Sequence, residues 1–357
     1  WRPCCPSSQN ESPRSELPQS VPMRPPLQLE PPLPCAPPWW ARGGHAQTIL
    51  GPILPSDAPV RTGASDPERR EGPLSHGDRH VGVLAEPTGP ASTPRTLVLL
   101  FHGLGGSVDS DYIRRTAALA RARGHAVLAM NHRGCGAGAG LARAPYHSGR
   151  SADLAACLAF ADEHFGPERR IVVGFSLSGN AALLQLAAGE EPLPDATIAV
   201  NPPSDLARAA HEISRGLNRI YDLRFVQQCR RAVAERARTG LIERAPSIPL
   251  LATLNQVDEL VTAPFGGFAD ANDYYLRCST HERLDSIEVP TVIVSAHDDP
   301  FVPGEVFEAV RSSSQVHVHL EPHGGHVGYL SADQTPLGTR RWIDYALDHY
   351  MVQLLDR

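Results

Sequence analysis

The sequence predicts an α/β fold, a mostly parallel central sheet with helices on both faces. Two observations predict it. Apolar runs of five or six residues alternate with longer helical patterns, and one long helical stretch interrupts that alternation near the middle of the chain. Strands covered on both faces read as continuous apolar runs, and the crossover between parallel strands is right-handed, so few topologies fit.

At 357 residues, with 41% hydrophobic and 20% charged content, the chain suits one large or two ordinary domains of a soluble enzyme. A formal net charge of −6 offers no basic field for nucleic acid. The sequence contains no lysine, which excludes a lysine Schiff base and a P-loop lysine. Its seven cysteines are scattered without a C-x-x-C pair, as expected of reduced thiols in a cytoplasmic compartment. No run approaches the roughly 18 apolar residues of a membrane span, so nothing beyond peripheral membrane contact is expected. Oligomeric state leaves no signature.

Residues 1–38 are rich in Pro and Ser, with doublets at Pro25-Pro26, Pro31-Pro32 and Pro37-Pro38, and predict a disordered tail ahead of a domain over 39–357. The Trp39-Trp40 pair should begin packed structure as an aromatic clamp across the domain. Residues 60–95 are polar and proline-rich, with a weak strand at 81–84, and suit sheet edges. Thr96–Phe101 is a continuous apolar run and predicts a central strand, followed by the glycine-rich loop His102-Gly103-Leu104-Gly105-Gly106-Ser107. Ser110-Asp111 cap a helix to about residue 123. A strand at 126–130 leads to Asn131-His132-Arg133-Gly134-Cys135-Gly136, and a helix over 152–165 follows. Ile171-Val172-Val173-Gly174-Phe175 form the next strand, an Ala/Leu-rich helix starts directly after Ser176, and 197–200 returns to strand. Residues 203–288 are helical and too long for one crossover; an insertion there sits above the strands' C-terminal ends and is expected to be a lid. The pattern resumes with a strand over 289–295, a helix over 305–311, a strand over 316–320 and a closing helix over 337–351.

The chemistry centres on the turn at Ser176. A serine at a sharp strand-to-helix turn projects its Oγ above the sheet, where the helix aims its free N–H groups. The motif is G-x-S-x-G with Ser178 in the fifth place and glycine one position later at Gly179. A capping serine in an ordinary turn is the bland alternative. An activated serine needs a base, and the base needs an acid. Asp298-Asp299-Pro300 follows one later strand and His323-Gly324-Gly325-His326 the next, so Ser, Asp and His come in the order of an α/β-hydrolase sheet. Asp299 is favoured over Asp298 because Pro-Phe-Val-Pro makes its exit turn, and His326 over His323 because two glycines free its loop. A His-x-x-His zinc site is the functional rival, without an evident third ligand. The oxyanion donors expected are the N–H groups of Leu177 and Leu104, the latter in the glycine-rich loop. His132, Arg133 and Cys135 lie at a neighbouring strand end, more as packing and loop-fixing groups than as pocket walls.

These pieces, together with Gly44-His45-Ala46-Gln47-Thr48-Ile49, Thr262-Ala263-Pro264 and Asp273-Tyr274-Tyr275, resemble the YheT-like branch of the α/β-hydrolase superfamily, from about Trp39 to the C-terminus. The resemblance implies a cofactor-free serine esterase acting on short- or medium-chain acyl or lipid esters, with Ser176, Asp299 and His326 as its triad. It departs at Ser178, where the family usually has glycine. An acyltransferase on the same triad and a catalytically silent binding protein are the alternatives.

Overall fold

The computed structural model describes residues 25–54 and 68–356, and eight strands among them make one sheet. In chain order they are β1 (Glu68–Pro73), β2 (Arg79–Ala85), β3 (Thr96–Phe101), β4 (Ala126–Asn131), β5 (Arg169–Phe175), β6 (Ala196–Val200), β7 (Thr291–Ala296) and β8 (Val316–Glu321). Their spatial order is β1-β2-β4-β3-β5-β6-β7-β8, with β1 and β2 antiparallel to their neighbours and the remaining pairs parallel. Strand order reverses between β3 and β5. That reversal opens a crevice at the strands' C-terminal ends, where an α/β sheet binds its ligands.

The helices are α1 (Gly44–Ile53), α2 (Asp111–Ala122), α3 (Ser151–Phe165), α4 (Leu177–Ala188), α5 (Leu206–Ile213), α6 (Arg219–Arg238), α7 (Leu254–Val257), α8 (Ala263–Gly266), α9 (Ala271–Cys278) and α10 (Trp342–Leu355). Alternation along the strands sorts them into two layers. Val98 and Leu100 of β3, with Ile171 and Val173 of β5, pack on Ile113 of α2 and on Trp342 and Leu347 of α10. Leu97, Leu99 and Val172 point the other way, onto Leu154 and Leu158 of α3 and Ala181 of α4. Each of these buried Val, Leu and Ile side chains is worth about 1.5–3 kcal/mol, so the apolar runs fix the register of the central strands.

Between β6 and β7 the chain runs through α5 to α9, with a π-helical turn at Asp258–Thr262. This stretch carries an apolar core of its own, in which Val226 and Val233 of α6 meet Ile242, Ile248 and Val261. Among the described residues, no helix is long and apolar enough to cross a membrane.

Residues 25–38 are not disordered: they run as an extended strap whose Leu27 and Leu29 pack on the α10 side of the core. The Leu27 N–H donates to the Ser314 carbonyl and Trp342 Nε1 donates to the Leu33 carbonyl. Prolines are already extended, so ordering them costs little once distant elements supply partners. Residues 1–24 and 55–67 lie outside the described residues. Trp39 and Trp40 do not clamp the domain; they are 80% and 46% exposed, and their buried neighbour Ala41 makes the contact instead. The 305–311 segment is only a short 3₁₀ turn at Gly304–Glu308. The closing helix starts at Trp342 because Thr335 to Thr339 form a hydrogen-bonded turn with Gly338 at φ 73°.

Candidate active site

Between the last residue of β5 and the first of α4 stands one residue, Ser176, with φ 54° and ψ −121°. A non-glycine residue held there stores on the order of 1–3 kcal/mol of strain, which surrounding structure must impose. The Ser176 N–H donates to the Val200 carbonyl at 2.7 Å, anchoring the turn to β6. Gly174 is required by close approach, since a Cβ there would stand 2.7 Å from the Ser178 carbonyl oxygen. The result is a half-buried serine hydroxyl presented at the sheet's C-terminal edge.

Two residues from later strand ends meet it. Ser176 Oγ lies 2.9 Å from His326 Nε2, and His326 Nδ1 lies 2.7 Å from Asp299 Oδ2. Because a carboxylate only accepts, the imidazole proton sits on Nδ1 and Nε2 is left to accept from the serine. Both ring nitrogens are thus engaged. Asp299 is buried, and its other oxygen accepts from the N–H groups of Phe301 and Val302 at 3.1 and 2.9 Å. Asp298 points elsewhere: its Oδ1 accepts from Gly324 and Gly325 N–H, each at 2.8 Å, and its Oδ2 faces the half-exposed His323. One aspartate meets the histidine and the other ties down the loop that carries it.

Two further supports have no local sequence signal. Asn201, which follows β6, donates from Nδ2 to Asp299 Oδ2 at 2.9 Å and to the Gly325 carbonyl at 3.2 Å. It sits at φ 44°, a conformation asparagine tolerates better than most residues. Helix α1 braces the histidine loop from outside. Thr48 Oγ1 accepts from the His326 N–H at 2.8 Å, and the Gln47 amide bonds Leu330 N–H and carbonyl. The helix lies so close that a Cβ on Gly51 would be 2.7 Å from Gly328 Cα. The resemblance singled out this Gly44 to Ile49 stretch without assigning it a task.

The expected oxyanion donors flank the serine. Leu177 opens α4, so its N–H has no carbonyl one turn earlier to bond. Gly103 packs against the elbow; a Cβ there would lie 3.1 Å from Ser176 Cβ. The Gly103 carbonyl accepts from His102 Nδ1 at 2.8 Å and from the Gly106 N–H at 3.1 Å. A trans peptide points its C=O and N–H in opposite directions, so holding that carbonyl aims the Leu104 N–H.

Comparison with known proteins places the chain in a family. The family described as alpha/beta hydrolase fold matches residues 96–333. YheT of Escherichia coli (strain K12), a presumed esterase by its name, is 32% identical over 269 residues, which cover 74% of this chain and 78% of YheT. The chain belongs to the α/β-hydrolase fold family. The monoacylglycerol lipase of Saccharomyces cerevisiae is 26% identical over 263 residues, covering 70% of this chain and 57% of that lipase. A solved structure of a soluble variant of the monoglyceride lipase from Saccharomyces cerevisiae, in complex with a substrate analog, shares the fold at a TM-score of 0.54 and 16% identity, covering 85% of this chain and 98% of that one.

As befits an α/β hydrolase, the serine opens into a cleft of about 720 Å³, counted with its mouth. The stretch from α5 to α9 supplies most of the walls: Leu206, Ala209, Ala210 and Ile213 from α5 and Phe225 from α6 face Phe301 and Val302. One charged group, Asp258, lines it; Thr262 and Tyr275 hydroxyls donate to its carboxylate, and burial pushes its pKa up to about 6. Arg133 is not a wall. It is buried in ion pairs with Asp78 and Asp153, fixing the loop after β4 as a packing group would. Cys135 is likewise absent from the cleft lining, and burial raises its thiol to about 11.

Proposed function

We propose that this protein cleaves carboxylic esters through an acyl intermediate on Ser176. The observation that carries the reading is the continuous run from Ser176 Oγ to His326 to Asp299, at 2.9 and 2.7 Å, whose serine lines an apolar cleft. His326 Nε2 takes the hydroxyl proton as Ser176 Oγ attacks the ester carbonyl. Asp299 holds the Nδ1–H and balances the charge of the imidazolium. The carbonyl oxygen, now an anion, is received by the N–H groups of Leu177 and Leu104, which need no reorganisation to meet it. When the intermediate collapses, His326 returns its proton to the departing alcohol, and a water enters by the same route to release the acid.

The aliphatic walls of α5 and α6 suit an acyl chain, and the helical insertion acts as the lid that decides its length. The named relatives, an esterase and a monoacylglycerol lipase, support an ester or lipid substrate. The test is hydrolysis of p-nitrophenyl butyrate by purified protein. Ser176→Ala abolishes it on this reading, and wild-type activity in that variant contradicts the reading.

A further inference from the structure

Ser178 departs from the glycine usual at the fifth motif position, and its side chain has a definite destination. It is fully buried, and its Oγ donates to the His102 carbonyl. The same Oγ lies 2.7 Å from His132 Nε2 and 3.0 Å from the Tyr146 hydroxyl. His132 Nε2 also stands 3.2 Å from the His102 carbonyl, and its ring stacks on Tyr146 at 3.6 Å between centroids. At the other end of the same peptide, the Gly103 N–H donates to the Tyr112 hydroxyl at 3.0 Å. Both ends of the peptide that enters the oxyanion loop are therefore gripped from outside the loop.

The proton directions follow from burial. It lowers His102 to about 4 and holds His132 well below the usual imidazole range, so each ring is neutral with a single N–H. His102 spends its proton on the Gly103 carbonyl, leaving Nε2 to accept from the His132 N–H at 3.2 Å. His132 carries its proton on Nε2, facing both the His102 carbonyl and Ser178 Oγ. With that donor arriving, the serine hydroxyl is free to give its own proton to the His102 carbonyl. A glycine at 178 would leave that carbonyl with the longer His132 contact alone.

We propose that Ser178 is a positioning residue for the oxyanion hole: with His132 it clamps the peptide between His102 and Gly103, and through that peptide it aims the Leu104 N–H. The inference rests on the proposed ester hydrolysis at Ser176. Ser178 touches no substrate atom; it acts on the loop that does. Losing an oxyanion donor outright typically lowers kcat by about 10²–10³, and misaiming one costs part of that, on the order of tenfold.

The experiment compares Ser178→Ala and Ser178→Gly with the wild-type chain on p-nitrophenyl butyrate. Active sites are counted by intact mass after exhaustive fluorophosphonate labelling, so a partly unfolded preparation does not disturb kcat per site. Affinity for an alkyl trifluoromethyl ketone, whose adduct places an oxyanion in the hole, is measured alongside. The expected result is a kcat per site lower by about tenfold, a KM within about twofold, and inhibitor affinity weakened in step with kcat. A purely structural hydroxyl would shift the thermal midpoint and leave kcat per site and inhibitor affinity within about twofold of wild type, which overturns the proposal. Ser176→Ala, run in parallel, separates the two levels. If it stays active, the hydrolase reading itself fails; if it is dead while the Ser178 variants match wild type, only the positioning role fails.

Discussion

Asp299→Asn changes one oxygen to an amide at the centre of a network in which every neighbour is a donor. Oδ2 receives His326 Nδ1 at 2.7 Å and Asn201 Nδ2 at 2.9 Å, while Oδ1 receives the N–H groups of Phe301 and Val302. The new amide has two orientations. With its NH₂ toward the backbone, two buried N–H groups lose their acceptor, at about 1–3 kcal/mol each. With its NH₂ toward His326, only the Asn201 donor is displaced, so this orientation wins. It forces Nδ1 to accept and moves the ring proton to Nε2, the atom facing Ser176. A base already protonated cannot take the serine's proton. Wrong-tautomer substitutions of this kind cost about 10⁴ in kcat, or about 5 kcal/mol of transition-state stabilisation, with little change in KM. Steady-state kinetics on p-nitrophenyl butyrate, with the thermal midpoint measured in parallel, is the assay. A folded Asp299→Asn enzyme whose kcat lies within tenfold of wild type would refute this account of the triad.

Asp298→Asn should behave differently, because an asparagine carbonyl can still accept from Gly324 and Gly325 N–H; kcat is expected within about tenfold of wild type. A collapse comparable to that of Asp299→Asn would transfer the acid's role to Asp298. Stability should fall as pH drops from 6.5 toward 4. Burial holds His80 and His102 at about 4 and His132 and His147 well below the usual range, so the unfolded chain binds protons across that window and the folded chain does not. Burial also raises three carboxyl groups, Asp258 to about 6 and Asp222 and Asp344 above the usual range, and these work in the opposite direction, but His125 and His317 are lowered too and the histidines outnumber them. Urea midpoints at neutral pH and near pH 5 check the sign, and a midpoint that rises on acidification contradicts it. Ala209→Phe places a ring in the cleft beside the acyl path, and should lower kcat/KM for long acyl esters more than for butyrate. Equal losses along a series of p-nitrophenyl esters would remove α5 from the acyl-binding wall.

The central strands were legible because burial on both faces leaves no polar residue to interrupt them, as in Thr96–Phe101 and Ile171 to Phe175. Ser176 was legible as a candidate because it directly follows such a strand, and Asp299 and His326 because each lies in the loop just after a later strand, β7 or β8. The choice between the paired candidates turns on loop geometry, for which the exit turn after Asp299 and the glycines before His326 are the sequence signals. What stayed hidden works through distant partners. Thr48 supports His326 from 278 positions away, and Asn201 bonds Asp299 from 98 positions away; neither leaves a periodicity behind. The strap at 25–38 is hidden for the same reason. Composition measures what a segment can bury by itself, whereas Leu33 and Cys35 are held by Trp342 and Glu321. Ser178 looked like a slackened motif position until its hydroxyl was seen on the His102 carbonyl.

The most direct measurement is the position of covalent labelling by a fluorophosphonate, read by peptide mass spectrometry on the full-length chain. The account predicts one adduct, on Ser176, absent from Ser176→Ala and formed far more slowly in Asp299→Asn. An adduct on any other residue, or no adduct on a folded protein that still hydrolyses esters, would contradict it.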